Sequence, residues 1–144
     1  MIRQSVPMDY AVTLHTKNIE EIMQYTEGFY KKAVVLLAEY STERWTITDK
    51  QGTILGIAGA AKNEKGSYDI WLLFADIDVV PLSFYKETYA KVREIVKKYG
   101  TLEGSVYHKN TFALRWAKFI GAEVKDPAPK GLYNNLFYDF VIRK

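Results

Sequence analysis

The chain has 144 residues, 48% hydrophobic and 26% charged, which suits one globular domain large enough to bury a core. It has no cysteine, which excludes disulfides, thiolate metal sites and a cysteine nucleophile and suits the cytosol. The net charge of +3 is unevenly placed: residues 1–80 hold 8 Lys/Arg and 11 Asp/Glu, residues 81–144 hold 12 and 6. In chain order, Ile2 to Val6 reads as a short strand ending at Pro7. Asp9 is placed to cap a short helix running to about His15. Asn18 with Glu21 resembles a capping box opening a second helix, with Ile19, Ile22 and Met23 as its buried stripe. Gly28 interrupts, and a further helix runs from Tyr30 to Tyr40 with Ala33, Val34, Leu36, Leu37 and Ala38.

A hairpin follows. Arg44 to Thr48 alternates at period two, with Trp45 and Ile47 on one side. Asp49-Lys50-Gln51-Gly52 turns, and Thr53 to Ala60 returns. Gly56 and Gly59 inside that strand predict a bulge or a close approach of another backbone. Asn63 to Ser67 turns again. Tyr68 to Ala75 is nearly unbroken apolar, as a central strand is.

Residues 76–82 connect to the longest helix, which Ser83 is placed to cap and which runs to Tyr99. Phe84, Thr88, Val92, Ile95, Val96 and Tyr99 share one face, and Gly100 stops it. Leu102 to Tyr107 is a strand. Asn110 is then a good N-cap for an amphipathic helix whose buried stripe is Phe112, Ala113, Trp116, Phe119 and Ile120, ended by Gly121. Residues 126–131 read as an irregular loop, and Leu132 to Ile142 as a closing strand. This order implies one α/β (α+β) domain, residues 1–144, with a right-handed crossover and a parallel pair near its C-terminal end.

No stretch reaches the roughly 18 apolar residues of a membrane span, and Met1 to Ser5 lacks the apolar core of a secretory signal. His15 and His108 are too few for a zinc constellation, so no metal site is expected. The basic second half suits an anionic partner, nucleic acid among them. However, no single predicted face interleaves basic with aromatic residues, so that partner is weakly supported.

The element order looks like the GNAT fold, the Gcn5-related N-acetyltransferases, over nearly the whole chain. Asn110-Thr111, Arg115-Trp116, Lys118 and Ile120-Gly121-Ala122 resemble, more closely, the GNAT-like proteins of short-tailed bacteriophages, which include an internal virion protein family. The hairpin Trp45 to Gly59 and the strand Asp69 to Leu73 are similar to that branch too. The resemblance implies a mixed sheet of about six to seven strands flanked by helices, with splayed central strands. It implies acetyl-CoA between those strands if the protein is active, and otherwise no cofactor. The splayed pair would be Thr53–Ala60 and Tyr68–Ala75. Leu73, Phe74 and Ala75 would offer backbone to the pantetheine arm. Ser83 would stand at the helix end that faces pyrophosphate, and Asn110 would bond the cofactor.

The same resemblance exposes departures. Where the family has a glycine-rich phosphate turn, residues 76–83 have no glycine, and they include Asp76, Asp78 and Pro81, which has no N–H. The helix tyrosine that protonates the leaving thiolate is replaced by Ala117, and Thr53 to Ala61 holds no acid. Tyr107, His108 and Tyr133 are the substitutes in reach for the first role, and Asp69 and Asp76 for the second. The resemblance therefore implies a phage protein with a degenerate acetyl-CoA site. Such a protein would act in the host cytoplasm or within the phage particle, with phage or host proteins as partners. The alternative is an acetyl-CoA-dependent N-acetyltransferase acting on a host protein or small amine.

Overall fold

Tight turns organise the first strands. Asp49 Oδ1 accepts from Gln51 N–H and Thr53 N–H, both at 2.9 Å, and Gly52 adopts φ 86°, so β2 (Glu43–Thr48) folds back on β3 (Ile54–Lys62). Asn63 Oδ1 does the same for Lys65 N–H and Ser67 N–H at 3.0 Å, with Gly66 at φ 83°, and delivers β4 (Tyr68–Phe74) antiparallel to β3. The computed structural model describes residues 1–26, 30–77, 79–131 and 133–144. The interruption expected at Gly28, together with Asp78 and Leu132, lies outside the described residues.

The sheet has eight strands. β1 (Ile2–Gln4) pairs with β2, and the order continues β3, β4, β5 (Leu102–Tyr107), β8 (Asn135–Ile142) and β6 (Glu123–Val124), with β7 (Ala128–Lys130) also on β8. β4 and β5 are the parallel pair, joined by α3 (Leu82–Tyr99), and the other pairings are antiparallel. The loop expected at residues 126–131 is instead partly a strand, because Ala128 to Lys130 meets Asn135 to Phe137.

Helices cover both faces. α3 and α4 (Thr111–Phe119) bury Phe84, Val92, Ile95, Ala113 and Trp116 against the sheet. α1 (Thr16–Thr26) and α2 (Tyr30–Tyr40) cover the other face, where Val34, Leu14, Ile57 and Leu73 pack. The stripes expected on α3 and α4 are buried apart from Tyr99 and Phe112, which are half-buried, and Phe119, which is exposed. Met23 and Leu36 differ too: each is 41% exposed. No described helix is long and apolar enough to cross a membrane.

The helix expected from Asp9 to His15 does not form. Pro7–Ala11 is a 3-10 turn, and the chain then runs extended. Asp9 is no cap of that helix. It is buried, and its carboxylate accepts both Arg3 guanidinium nitrogens, the Val6 N–H and the Thr46 hydroxyl, all at 2.8 Å. The Arg3 guanidinium, aided by the Val6 and Thr46 donors, outweighs burial and lowers its pKa from 3.8 to about 2. A depressed folded-state pKa stabilises the protein above the unfolded value and loses that contribution as pH falls through the folded one. The effect is about 2 kcal/mol, lost between about pH 4 and pH 2. Urea titrations across that range should show the decline in the native chain, and Asp9→Asn should be less stable by a similar amount at pH 7 and largely flat there.

Candidate functional site

β4 and β5 begin as neighbours and then part. Their pairing is limited to Tyr68 with Leu102 and Asp69 with Glu103. The split expected between Thr53–Ala60 and Tyr68–Ala75 is therefore misplaced. β3 and β4 stay in register from Gly56–Phe74 to Lys62–Tyr68. Ala75 N–H donates to Leu55 C=O at 3.0 Å, so by alternation Leu73 and Ala75 bond β3. Leu72 and Phe74 turn their backbone groups toward the side that β5 has left.

Two side chains from one turn of α1 bridge the split. Asn18 Nδ2 donates to Phe74 C=O on β4 at 2.6 Å. Glu21 accepts from Tyr107 N–H on β5 at 2.7 Å and from Asn110 Nδ2 at 2.8 Å. They are not the capping box that their spacing suggests, because α1 starts at Thr16 and both lie inside it. Instead they satisfy backbone groups that a neighbouring strand would otherwise meet. Asn110 is the N-cap of α4, accepting from Ala113 N–H at 3.3 Å, and it spends its amide protons on Glu21. Burial pushes the Glu21 carboxyl above its ordinary 4.5, and the Tyr107 and Asn110 bonds only partly oppose that.

The outer end of the split is filled by the chain itself. Thr13 to His15 lies antiparallel to the end of β4, bridging Leu14 to Ala75. His15 N–H donates to Phe74 C=O at 3.1 Å, and Asp76 N–H donates to Thr13 C=O at 2.8 Å. The His15 ring meets Phe112 edge-on with centroids 5.0 Å apart. Deeper in, a cavity of about 240 Å³ threads between the strands, with Leu72, Val106, Ala113 and Trp116 in its walls and Glu21 as its carboxylate. Ile70, Trp71, Ser105 and Phe140 line both it and an open polar cleft of about 400 Å³ that holds Asp69, Lys130 and Asp139.

The sequence-derived candidates scatter over this region. Asp69 lies exposed at the closed end of the split, bonded to Asn63 Nδ2 at 3.0 Å. Tyr107 lies at the other end of β5, four residues past Asp69's partner Glu103, about 13 Å along the strand. Its ring is buried against His108 and Phe137. His108 Nδ1 meets Leu136 C=O at 3.0 Å, and Tyr133 is 60% exposed. Asp76 is exposed. Ser83 does not cap α3. Pro81 stands at the cap position, with no side-chain bond to the helix. Glu21, Asn18 and the Thr13–His15 segment were not foreseen. The available signal was two polar residues, Asn18 and Glu21, set among the apolar positions of an amphipathic helix.

A mixed sheet opened between one parallel pair, with two helices on each face, is the GNAT fold. The chain is similar to a GNAT-family acetyltransferase from Bacillus anthracis, at 18% identity and TM-score 0.69 over 99% of this chain and 93% of that one. It is similar to ribosomal-protein-S5-alanine acetyltransferase from Vibrio fischeri, at 12% and 0.67 over 99% and 91%. It is also similar to phosphinothricin acetyltransferase from Sinorhizobium meliloti, solved in complex with AcCoA, at 11% and 0.65 over 100% and 86%. No family model and no curated protein matches the chain. The likeness is one of fold.

Proposed function

We propose that this chain is a GNAT-fold interaction protein with little or no acetyl transfer. The observation that carries the reading is the Thr13–His15 segment. An extended pantetheine arm would need the free edge of β4 at Phe74, and that carbonyl already accepts from His15 and Asn18. The start of α3 supports the same reading. Pro81 removes a donor where a phosphate would want one, and the cap position offers no side-chain bond. Ala117, in the place of the family's helix tyrosine, is fully buried. These features together argue against an acetyl-CoA site of the usual kind. Calorimetry with acetyl-CoA tests this: no heat is expected at millimolar ligand, and a micromolar Kd overturns it.

The resemblance of Asn110 to Ala122 to the phage branch carries the reading further, to an assembly or virion component in the host cytoplasm or the particle. Its partners would then be phage or host proteins. Immunodetection in purified particles and assembly intermediates is the test, and absence from all of them ends that extension.

One observation favours the competing reading, an acetyl-CoA-dependent N-acetyltransferase acting on a host protein or small amine. Glu21 places a carboxyl with a raised pKa on an apolar cavity inside the split, the kind of environment that makes a proton acceptor. Under it, binding in the calorimeter would accompany acetylation that Glu21→Gln slows by about 100-fold or more.

A further inference from the structure

The two flanks of α3 are electrically different. One flank meets the β1–β2 edge, and its charges are matched: Glu87 holds the chain's N-terminal amine at 2.7 Å, Lys91 pairs with Glu94 at 3.3 Å, and Lys98 pairs with Glu43 at 3.0 Å. The flank toward α4 carries Lys86, which meets Phe119, and Arg93, which reaches Ile120 C=O, with no acid beside them. α4 itself, Thr-Phe-Ala-Leu-Arg-Trp-Ala-Lys-Phe, has no acid and exposes Arg115 and Lys118. Lys86, Lys97, Arg115 and Lys118 have no carboxylate partner among the described residues. The terminal nitrogens of Arg93 donate to Ile120 C=O at 2.9 Å and Arg143 C=O at 3.3 Å, its buried Nε–H has no partner among the described residues, and its charge is likewise unmatched. The acid nearest in sequence beyond α4, Glu123, is taken by Arg143 at 3.3 Å.

Between these cations lie rings. Phe119 and Tyr89 are each 44% exposed. Phe119 contacts Tyr85 and Tyr89 with centroids 5.3 and 6.4 Å apart, and Arg93 lies over Tyr89 at 5.5 Å. A shallow hollow of about 220 Å³ opens where Lys86, Tyr89 and Phe119 meet. Such rings are poor partners for a folded acidic surface alone. They suit a ligand that alternates planar apolar faces with negative charge.

We infer that the α3–α4 groove binds single-stranded nucleic acid. Unpaired bases would stack on Tyr89 and Phe119, and the backbone phosphates would meet Lys86 on α3 and Arg115 and Lys118 on α4. A duplex keeps its bases stacked on one another and offers the rings nothing, so the preference is for single strands. No single helix carries the pattern, which is why it does not show in either helix read alone.

Fluorescence anisotropy with labelled 15-nucleotide oligo(dT), oligo(U) and a duplex of equal length tests the inference. Expected is binding of the single strands at least tenfold tighter than of the duplex. The slope of log affinity against log salt should be about −2 to −3, as several phosphate contacts at about 0.7 each require. Tyr89→Ala and Phe119→Ala should each weaken binding roughly tenfold with little change in salt slope. Arg115→Gln and Lys118→Gln should each lower the slope by about 0.7, and Lys98→Gln on the far flank should change nothing. Circular dichroism of each variant separates loss of binding from loss of folding. Absent binding, equal affinity for the duplex, or aromatic variants that bind as the native chain does would each overturn the inference. So would tighter retention by an acidic polypeptide such as poly(Glu), because that makes the groove a protein contact.

Discussion

Asn110→Ala should destabilise the protein by about 2.5–4 kcal/mol, the larger part of it through Glu21. The loss of a helix N-cap accounts for about 1 kcal/mol. The rest comes from a donor removed from a desolvated carboxylate, which typically costs about 1.5–3 kcal/mol. Asn110 is 1% exposed, so water does not readily replace it. Asn110→Ser keeps an oxygen for Ala113 N–H but cannot reach Glu21, and it should recover only the capping share. Glu21→Gln supplies the discriminating cycle. In the Asn110→Ala background the substitution removes an undersatisfied charge, so the pair should couple by about 2 kcal/mol. Additivity within about 0.5 kcal/mol in urea titrations would show that the Asn110–Glu21 bond contributes little.

Glu21 also sets a pH dependence opposite to that of Asp9. Its folded-state pKa is raised, so between the ordinary 4.5 and that higher value the folded chain holds more protons than the unfolded one. Stability then falls as pH rises through that window. Asn110→Ala removes a bond that opposes the rise, so it should extend the decline to higher pH, while Glu21→Gln should abolish it. Asp9 and Glu21 therefore pull in opposite directions: protonation removes the Asp9 contribution on the acid side, and ionisation erodes that of Glu21 as pH rises.

The parts of this fold legible in the sequence are those written in local spacing. Phe84, Thr88, Val92, Ile95 and Val96 face the sheet as their period requires, and Asn110 caps α4 because capping is a contact three residues long. The Asn18 and Glu21 bonds across the split were not legible, because they join residues 56, 86 and 89 apart. The period-3 spacing of Asn18 and Glu21 fits a capping box equally well, and tertiary contact decides between the two. The split could have been placed better from turn chemistry. Asn63 to Ser67 is too tight and too well bonded to let β3 and β4 diverge. β4 and β5 are joined through a long helix, so their far ends are free to part. The Thr13–His15 segment was hidden for another reason. Asp9 looks like a cap, but the Arg3 guanidinium and Thr46 hydroxyl draw it into the sheet's edge and end the helix after a single 3-10 turn.

Close approaches of backbone were expected at Gly56 and Gly59, and both are tight. Among the described glycines a tighter contact, with a side chain rather than backbone, lies at Gly104 on β5, and it carries the second large prediction. A Cβ added there would sit 2.2 Å from Phe140 Cζ and 2.6 Å from Cε1. Gly104 is directly opposite Phe140 on β8, and the ring, 3% exposed, folds back across the glycine. Gly104→Ala therefore forces Phe140 from its rotamer within a packed core. Overpacking costs about 1–3 kcal/mol in ordinary sites, and with the ring occupying the methyl's own position the upper end applies, about 3 kcal/mol. For a chain of this size that is a fall in Tm of roughly 10 °C. Phe140→Leu alone should cost about 1–1.5 kcal/mol and in the Gly104→Ala background should be neutral or stabilising, a coupling of at least about 1 kcal/mol. Because Phe140 lines both the polar cleft and the inner cavity, the displaced ring should reshape both. If Gly104→Ala shifts Tm by less than about 2 °C, the ring does not lie over the glycine.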